Sequence, residues 1–280
     1  MPTDISVAFI KQFESEVHIA YQQTGTLLRN TVRVKTVKGK DTTFQIVGKG
    51  AATTKERHKQ ISPMNLEHSN VTVSLADYYA GEWVDKLDEL KTNIDERQVV
   101  AKSGAYALGR KTDELIISAM DRSTTEVDGT TMAVEDAFLK AFADMNDNEV
   151  PDDNDRYCAV SPQVWNMLLK VDQFAKSNFV DDKPWIKGRT AKKWLGVNFI
   201  MHAGLPKSGN VRSCFMYHKS ALGFANGCDV TSDITWHGDY AAHFINNMMS
   251  QGAGLIDTKG VIKVKIDESA TVAAAAASEE

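Results

Sequence analysis

The sequence predicts an α+β fold, on three observations. Residues 82–121 repeat apolar side chains at helical steps, and the closing run VIKVKID alternates apolar and polar side chains at strand steps. The elements between them interleave without a regular βαβ rhythm. A length of 280 residues fits one large domain or two of ordinary size, at roughly 100–200 residues each. With 42% hydrophobic and 25% charged residues, the chain is not collagen-like, disulfide-framed or wholly disordered. A net charge of −5, from 37 acidic and 32 basic residues, argues against a general nucleic-acid binder. No apolar run reaches the ~18 residues that cross a bilayer. The opening MPTDISVAFIKQF lacks the basic region and long apolar core of a secretory signal.

From the N-terminus, Ile10, Phe13, Val17 and Tyr21 form one helical stripe ahead of a break at Thr24-Gly25, as in an arm that docks on something. Two β-rich runs follow, TVRVKTV and TTFQIVG. Lys38-Gly39-Lys40-Asp41 between them reads as a hairpin turn. Then come the polar stretch GKGAATTKERHKQ and another strand, NVTVSLA. Arg29 to Lys59 holds nine basic and two acidic residues, a local charge of +7 in an acidic protein. So polar a hairpin does not suit a packed core, and a lone ribbon is marginal in water. It reads as a projecting arm whose cover lies elsewhere, or alternatively as a surface hairpin folded on its own domain.

Val84, Leu87, Leu90, Ile94, Ala101, Ala105, Leu108, Leu115 and Ala119 give the strongest helical period, with Glu82, Asp85, Asp88 and Glu89 in the first turns. Unbroken, such a helix of about 38 residues spans roughly 57 Å. A compact chain of this size has a diameter of about 48 Å, so a plate with a helical spine is expected. A turn at Asp128-Gly129 leads to a helix burying Val134, Phe138, Phe142 and Met145. The link Asp144–Asp155 has six acids, no base and Pro151, and reads as a domain boundary. Beyond it lies the strand YCAV. Ser161 is a natural N-cap and Pro162 a natural first residue for a helix burying Val164, Leu168 and Val171. Further strands are VNFIMH and SCFMYH, with turns at Leu205-Pro206 and Ser208-Gly209. In VIKVKID, Ile262, Val264 and Ile266 face inward while Lys263 and Lys265 face out.

Residue patterns for catalysis or cofactor binding are weak. Gly48-Lys49-Gly50-Ala51 and Gly252-Ala253-Gly254 both fail the phosphate-loop order. His237 and His243 are six apart with Asp239 between them, which puts the imidazoles on opposite faces of any helix. They read as ordinary, partly buried histidines. No G-x-S-x-G elbow occurs. Cys158, Cys214 and Cys228 lack metal spacing and read as buried reduced thiols, with Cys158 inert inside an apolar strand. Asp152-Asp153 and Asp181-Asp182 read as solvated loops. No catalytic, cofactor or metal residue is assigned, and a non-enzyme is expected.

The segment YYAGEWVDKLDELKTNIDERQVVAKSGAYALGRKTDELI, followed by AVSPQVWNMLL and LGVNFIMHAGLP, resembles the spine helix and axial domain of tailed-bacteriophage major capsid proteins of the Hong Kong 97-type fold. The resemblance extends over residues 5–268. It implies an N-terminal arm (1–28), an extended β-hairpin loop (29–76), a peripheral domain carrying the spine helix (77–149 and 246–268), an axial domain (150–245) and a flexible tail (269–280). Hexamers and pentamers of the chain would enclose phage DNA without sequence-specific binding. The extended loop would lie across a neighbour, with Arg33, Lys35, Lys38, Lys40, Lys55 and Arg57 facing acids such as Asp85, Asp88, Glu89, Asp152 and Asp153. Single exposed ion pairs contribute only about 0–1 kcal/mol, so many repeated contacts would set the register. The resemblance further implies a portal protein and assembly in the bacterial cytoplasm. Some relatives carry an extra N-terminal scaffold of about a hundred residues; here the arm begins near Met1, so a separate scaffolding protein is expected. The alternatives are an encapsulin-type nanocompartment shell and a soluble oligomeric enzyme.

Overall fold

The computed structural model describes residues 25–87, 96–171, 174 and 192–269. Its strands are β1 (Arg33–Thr36), β2 (Asp41–Val47), β3 (His68–Ser74), β4 (Ala76–Asp85), β5 (Glu126–Asp128), β6 (Arg156–Val160), β7 (Lys192–Trp194), β8 (Val197–Met201), β9 (Lys207–Ser208), β10 (Val211–His218), β11 (Leu222–His237), β12 (Ala242–Leu255) and β13 (Val261–Asp267). The helices are α1 (Glu96–Asp121), α2 (Val134–Asp147) and α3 (Pro162–Leu168). Two compact units emerge. One comprises Met1–Thr26, Asp77–Lys111 and Cys228–Ser250; the other Leu27–Ala76, Thr112–Gly227 and Gln251–Glu280.

The larger unit is built on a sheet ordered β5-β13-β10-β6-β8-β7, with β9 paired to β10. Hydrophobic alternation explains its centre. In β13, Val261, Ile262, Val264 and Ile266 are buried while Lys263 and Lys265 are half-buried, and β10 beside it buries Cys214 to His218. Helix α2 covers this sheet with Ala137, Phe138, Ala141 and Met145. Helix α3 starts as its sequence dictates: Ser161 Oγ accepts the Val164 amide at 3.1 Å, and Pro162 follows it. Inward, Phe174 meets Trp165, Trp194 and Phe199 edge-on or nearly so, at centroid distances of 5.4–5.6 Å. The C-terminal half of α1 buries Thr112, Asp113, Ile116, Ile117, Ala119 and Met120. Asp113 there accepts the amides of Leu27 and Leu28 at 3.0–3.2 Å and lies 3.2 Å from His202 Nε2. This carboxylate fixes the backbone at Leu27 and Leu28.

Two expectations are corrected. Residues 82–85 are strand, not helix: β4 runs to Asp85, with Val84 buried as a strand residue. The aromatic and β-branched content of YYAGEWV suits a pleated surface better than a helix. Helix α1 is described over Glu96–Asp121, 26 residues or about 39 Å; the remainder of the expected spine, residues 88–95, lies outside the described residues. Leu115 is only half-buried and Leu87 is exposed; Leu90 and Ile94 lie outside the described residues.

The second correction concerns the hairpin. Strands β1 and β2 flank the Lys38–Asp41 turn but do not pair. β1 instead runs parallel to the start of β11, Arg33 opposite Gly223 and Thr36 opposite Asn226. β2 pairs antiparallel with β3, Asp41 opposite Ser74 and Val47 opposite His68. The connection closing that ribbon is therefore residues 48–67. The expected helical arm over residues 5–21 and the tail beyond Ser269 lie outside the described residues.

Candidate assembly surface

The ribbon is amphipathic where it leaves the body. Thr42 and Phe44 on β2 and Val73 on β3 are buried, while Thr43, Gln45 and Thr72 face out. A small core joins Phe44 and Val73 to Val37, Ala225 and Ile256, with Ile46 and Leu75 against it. Glycines make the seat. A Cβ on Gly223 would come within 2.7 Å of Phe44 Cε2, and one on Gly254 within 2.5 Å of Val73 Cγ2; Gly252 lies as closely under the Ser74 carbonyl. Gly252 and Gly254 thus serve close approach between strands, a role that glycine inside a strand signals. The expectation of an uncovered ribbon is corrected here: its base packs on its own subunit.

Its far end is different. Residues 49–65 are all exposed, Ile61 by 70% and Met64 by 52%. Gly48 donates its amide to the Glu67 carbonyl at 2.7 Å, closing the neck of this loop. The loop carries Lys49, Lys55, Arg57 and Lys59 against one acid, Glu56.

The candidate cations divide between these two parts. Arg33 and Lys35 flank the Phe44 ring, each 5.7 Å from its centroid, and Lys35 Nζ donates to the Thr43 carbonyl at 3.1 Å. They brace the ribbon base. Lys38 and Lys40 are exposed at the turn, Lys55 and Arg57 at the tip.

The acidic candidates are dispersed and partly engaged. Asp85 accepts the Leu87 amide at 2.7 Å. Asp153 accepts from His218 Nε2 at 2.9 Å and from the Asp155 amide, and the bond from His218 chiefly holds its carboxyl below the ordinary range. Asp152 is exposed, and Asp88 and Glu89 lie outside the described residues. The structure brings none of the six candidate cations to these acids.

The contact that does form, Lys49 with Glu149, was missing from the sequence reading. Hydrogen bonding and charge from Lys49 lower the Glu149 carboxyl. Glu149 has φ 58°, in the left-handed region. It sits just past the end of α2, where its amide bonds the Asn146 carbonyl and the Val150 amide bonds Met145. Glycine usually occupies that position of a Schellman motif.

No catalytic arrangement accompanies these contacts among the described residues. Burial pushes the Cys158 thiol far up and the Cys214 thiol to about 12, so both stay protonated at neutral pH. Cys228, expected to be buried, is exposed on β11. His237 and His243 pack against Trp83 and Trp236, at 5.1 and 4.9 Å between centroids.

Residues 5–268 match the family model described as phage capsid protein. The chain belongs to that family. It is a structural major capsid protein, a component of the virion shell. Its fold is that of several solved capsids. The cyanophage P-SCSP1u capsid protein is 19% identical with a TM-score of 0.75, over 92% of this chain and 93% of that one. A chain in the structure of Mycobacterium phage Che8 is 18% identical with a TM-score of 0.72, over 91% of this chain and 97% of that one. The head protein of Helicobacter pylori bacteriophage KHP40 is 12% identical with a TM-score of 0.75, over 91% and 95%. At such identities the likeness is one of fold, the Hong Kong 97-type. No curated protein matches the sequence.

Proposed function

We propose that copies of this chain tile as hexamers and pentamers into an icosahedral shell around phage DNA, each ribbon reaching over an adjacent subunit. The observation that carries this is the loop of residues 49–65, exposed throughout and held to its own subunit at Lys49, basic and bearing Ile61 and Met64, at the end of a ribbon whose base is seated. A chain gains little by leaving that surface in water; a neighbouring copy would bury it. Lys38, Lys40, Lys55 and Arg57 are the cations placed to meet that neighbour. In this reading residues 77–149 with 246–268 form the peripheral domain and 150–245 the axial domain, while residues 1–28 act as an arm. Family membership supports a scaffolding protein and a portal as partners, DNA held without sequence readout, assembly in the bacterial cytoplasm and no enzymatic role. Negative-stain microscopy of the protein with its head-assembly partners tests it: closed isometric shells are expected, and discrete dimers or tetramers under the same conditions would refute it.

A further inference from the structure

At the C-terminal end of β10 a serine, a histidine and an aspartate stand in line. His218 Nε2 lies 2.9 Å from Asp153 Oδ1, and His218 Nδ1 lies 2.7 Å from Ser220 Oγ. The backbone sets this alignment. His218 stands opposite Arg156 in the β10–β6 register, and the Lys219 amide bonds the Asp155 carbonyl at 3.0 Å. These contacts hold the 153–155 loop against the turn that follows β10. Asp153 is fixed further by the Asp155 amide at 3.1 Å. The His218 side chain is 6% exposed, whereas Ser220 lies open to solvent.

The protons of the trio follow from their partners. The Ser220 amide, which can only donate, reaches His218 Nδ1 at 3.2 Å. That nitrogen therefore carries a lone pair, and the ring proton sits on Nε2, directed at Asp153. At 2.7 Å from an unprotonated nitrogen, the Ser220 hydroxyl donates as well. Capping the short turn Lys219–Ala221 requires only the amide bond. The hydroxyl and the carboxylate add what a nucleophile needs, a base on its proton and an acid residue orienting that base.

We infer that Ser220 is an acyl-acceptor site, taking the acyl group of neutral, activated carboxylic esters. Ser220 Oγ adds to the ester carbonyl while its proton passes to His218 Nδ1, and Asp153 stabilises the imidazolium. Collapse of the adduct breaks the ester C–O bond, and the departing alcohol takes the proton from Nδ1. The products are O-acyl Ser220 and an alcohol, with no change of oxidation state. Asp153 and Asp155 beside the ring disfavour an anionic donor. The amides of Ser220 and Lys219 are already engaged, by His218 and Asp155, so these two offer no preformed oxyanion hole. An activated ester reacts without one; the unactivated serine ester that it leaves is not hydrolysed. One acyl group per chain accumulates, and the site is an acceptor with a single turnover.

Treatment of the full-length, unassembled chain with p-nitrophenyl acetate tests this. Site-resolved peptide mass spectrometry should show a hydroxylamine-labile acetyl at Ser220, formed about 100-fold faster than at the exposed Ser69 of β3. S220A should remove the labile acetyl from that peptide, and H218Q should lower the Ser220 rate by about 100-fold. D153N changes a half-exposed side chain, so the fold is kept. It removes the charge that stabilises the imidazolium and should slow the reaction by about tenfold. Acetylation of Ser220 no faster than that of Ser69, or a Ser220 rate unchanged in D153N, would overturn the inference.

Discussion

Glu268 shows how single side chains hold the larger unit together. It follows β13 and receives Ser161 Oγ at 2.7 Å, Arg212 Nε at 2.9 Å and Lys207 Nζ at 2.8 Å, with only 2% of its side chain exposed. Burial pushes the carboxyl up, but bonds from Arg212, Lys207 and Ser161 outweigh it and hold it at about 2, below its ordinary 4.5. A carboxyl lowered by folding stabilises the fold above its ordinary value and loses that contribution as pH falls toward the folded one. The gain is about 2–3 kcal/mol, reduced because the Lys207 partner is partly solvated. Urea unfolding of the unassembled subunit should therefore weaken from pH 4.5 down to 2. Glu268→Gln should lower stability at pH 7 and flatten that slope; an unchanged slope would show that other carboxylates dominate.

Arg156 is the other such residue. Its side chain is buried with neutral acceptors alone: the Pro151 carbonyl at 2.9 Å, Asn146 Oδ1 at 2.8 Å and the Val150 carbonyl, with Phe142 under it at 5.4 Å. The C-terminal dipole of α2 favours a cation there. Arg156→Met strands several buried acceptors, and a loss of about 2–4 kcal/mol is expected by urea unfolding. The sequence marks only an acidic, proline-bearing link; that an arginine just beyond it ties down three of its residues depends on a turn that no local pattern encodes.

At the scale of elements, strictly local signals were legible and pairings across the chain were not. The N-cap at Ser161, the alternation of β13 and the apolar face of α2 each lie within one segment, so residue spacing suffices to read them. β1 finds its partner about 190 residues later, on β11, and nothing in TVRVKTV distinguishes that edge from the nearer β2. In β4, Glu82 and Asp85 near a periodic apolar set mimicked a helix start, while the alternation of Tyr79, Gly81 and Trp83 was the better guide. The glycine seat was likewise present in the sequence but had no meaning until Val73 and Phe44 were placed on it. Gly254→Val should press into Val73, cost about 1–3 kcal/mol by overpacking, and make the ribbon more susceptible to limited proteolysis. Unaltered cleavage between residues 48 and 67 would mean that the seat does not hold the ribbon.

For the whole molecule, the capsid class was legible because the order of elements is itself characteristic, even where individual boundaries shift. The candidate surface was legible in part. The basic loop stood out by its charge, whereas the glycine seat beneath the ribbon base appears only when β2 and β3 lie against β11 and β12. Charge reversal separates ribbon tip from ribbon base. K55E/R57E should abolish shell formation while leaving the subunit's thermal unfolding unchanged, since both side chains are exposed on the described loop. R33E/K35E should in addition loosen the ribbon base, because those two side chains flank Phe44.

Cryo-electron microscopy of assembled particles, at a resolution that traces residues 48–67, shows where each loop lies. An icosahedral shell is expected in which each loop rests on an adjacent copy, with its base still seated over Gly223, Gly252 and Gly254. Shells in which every loop folds back on its own subunit and touches no neighbour would refute the tiling.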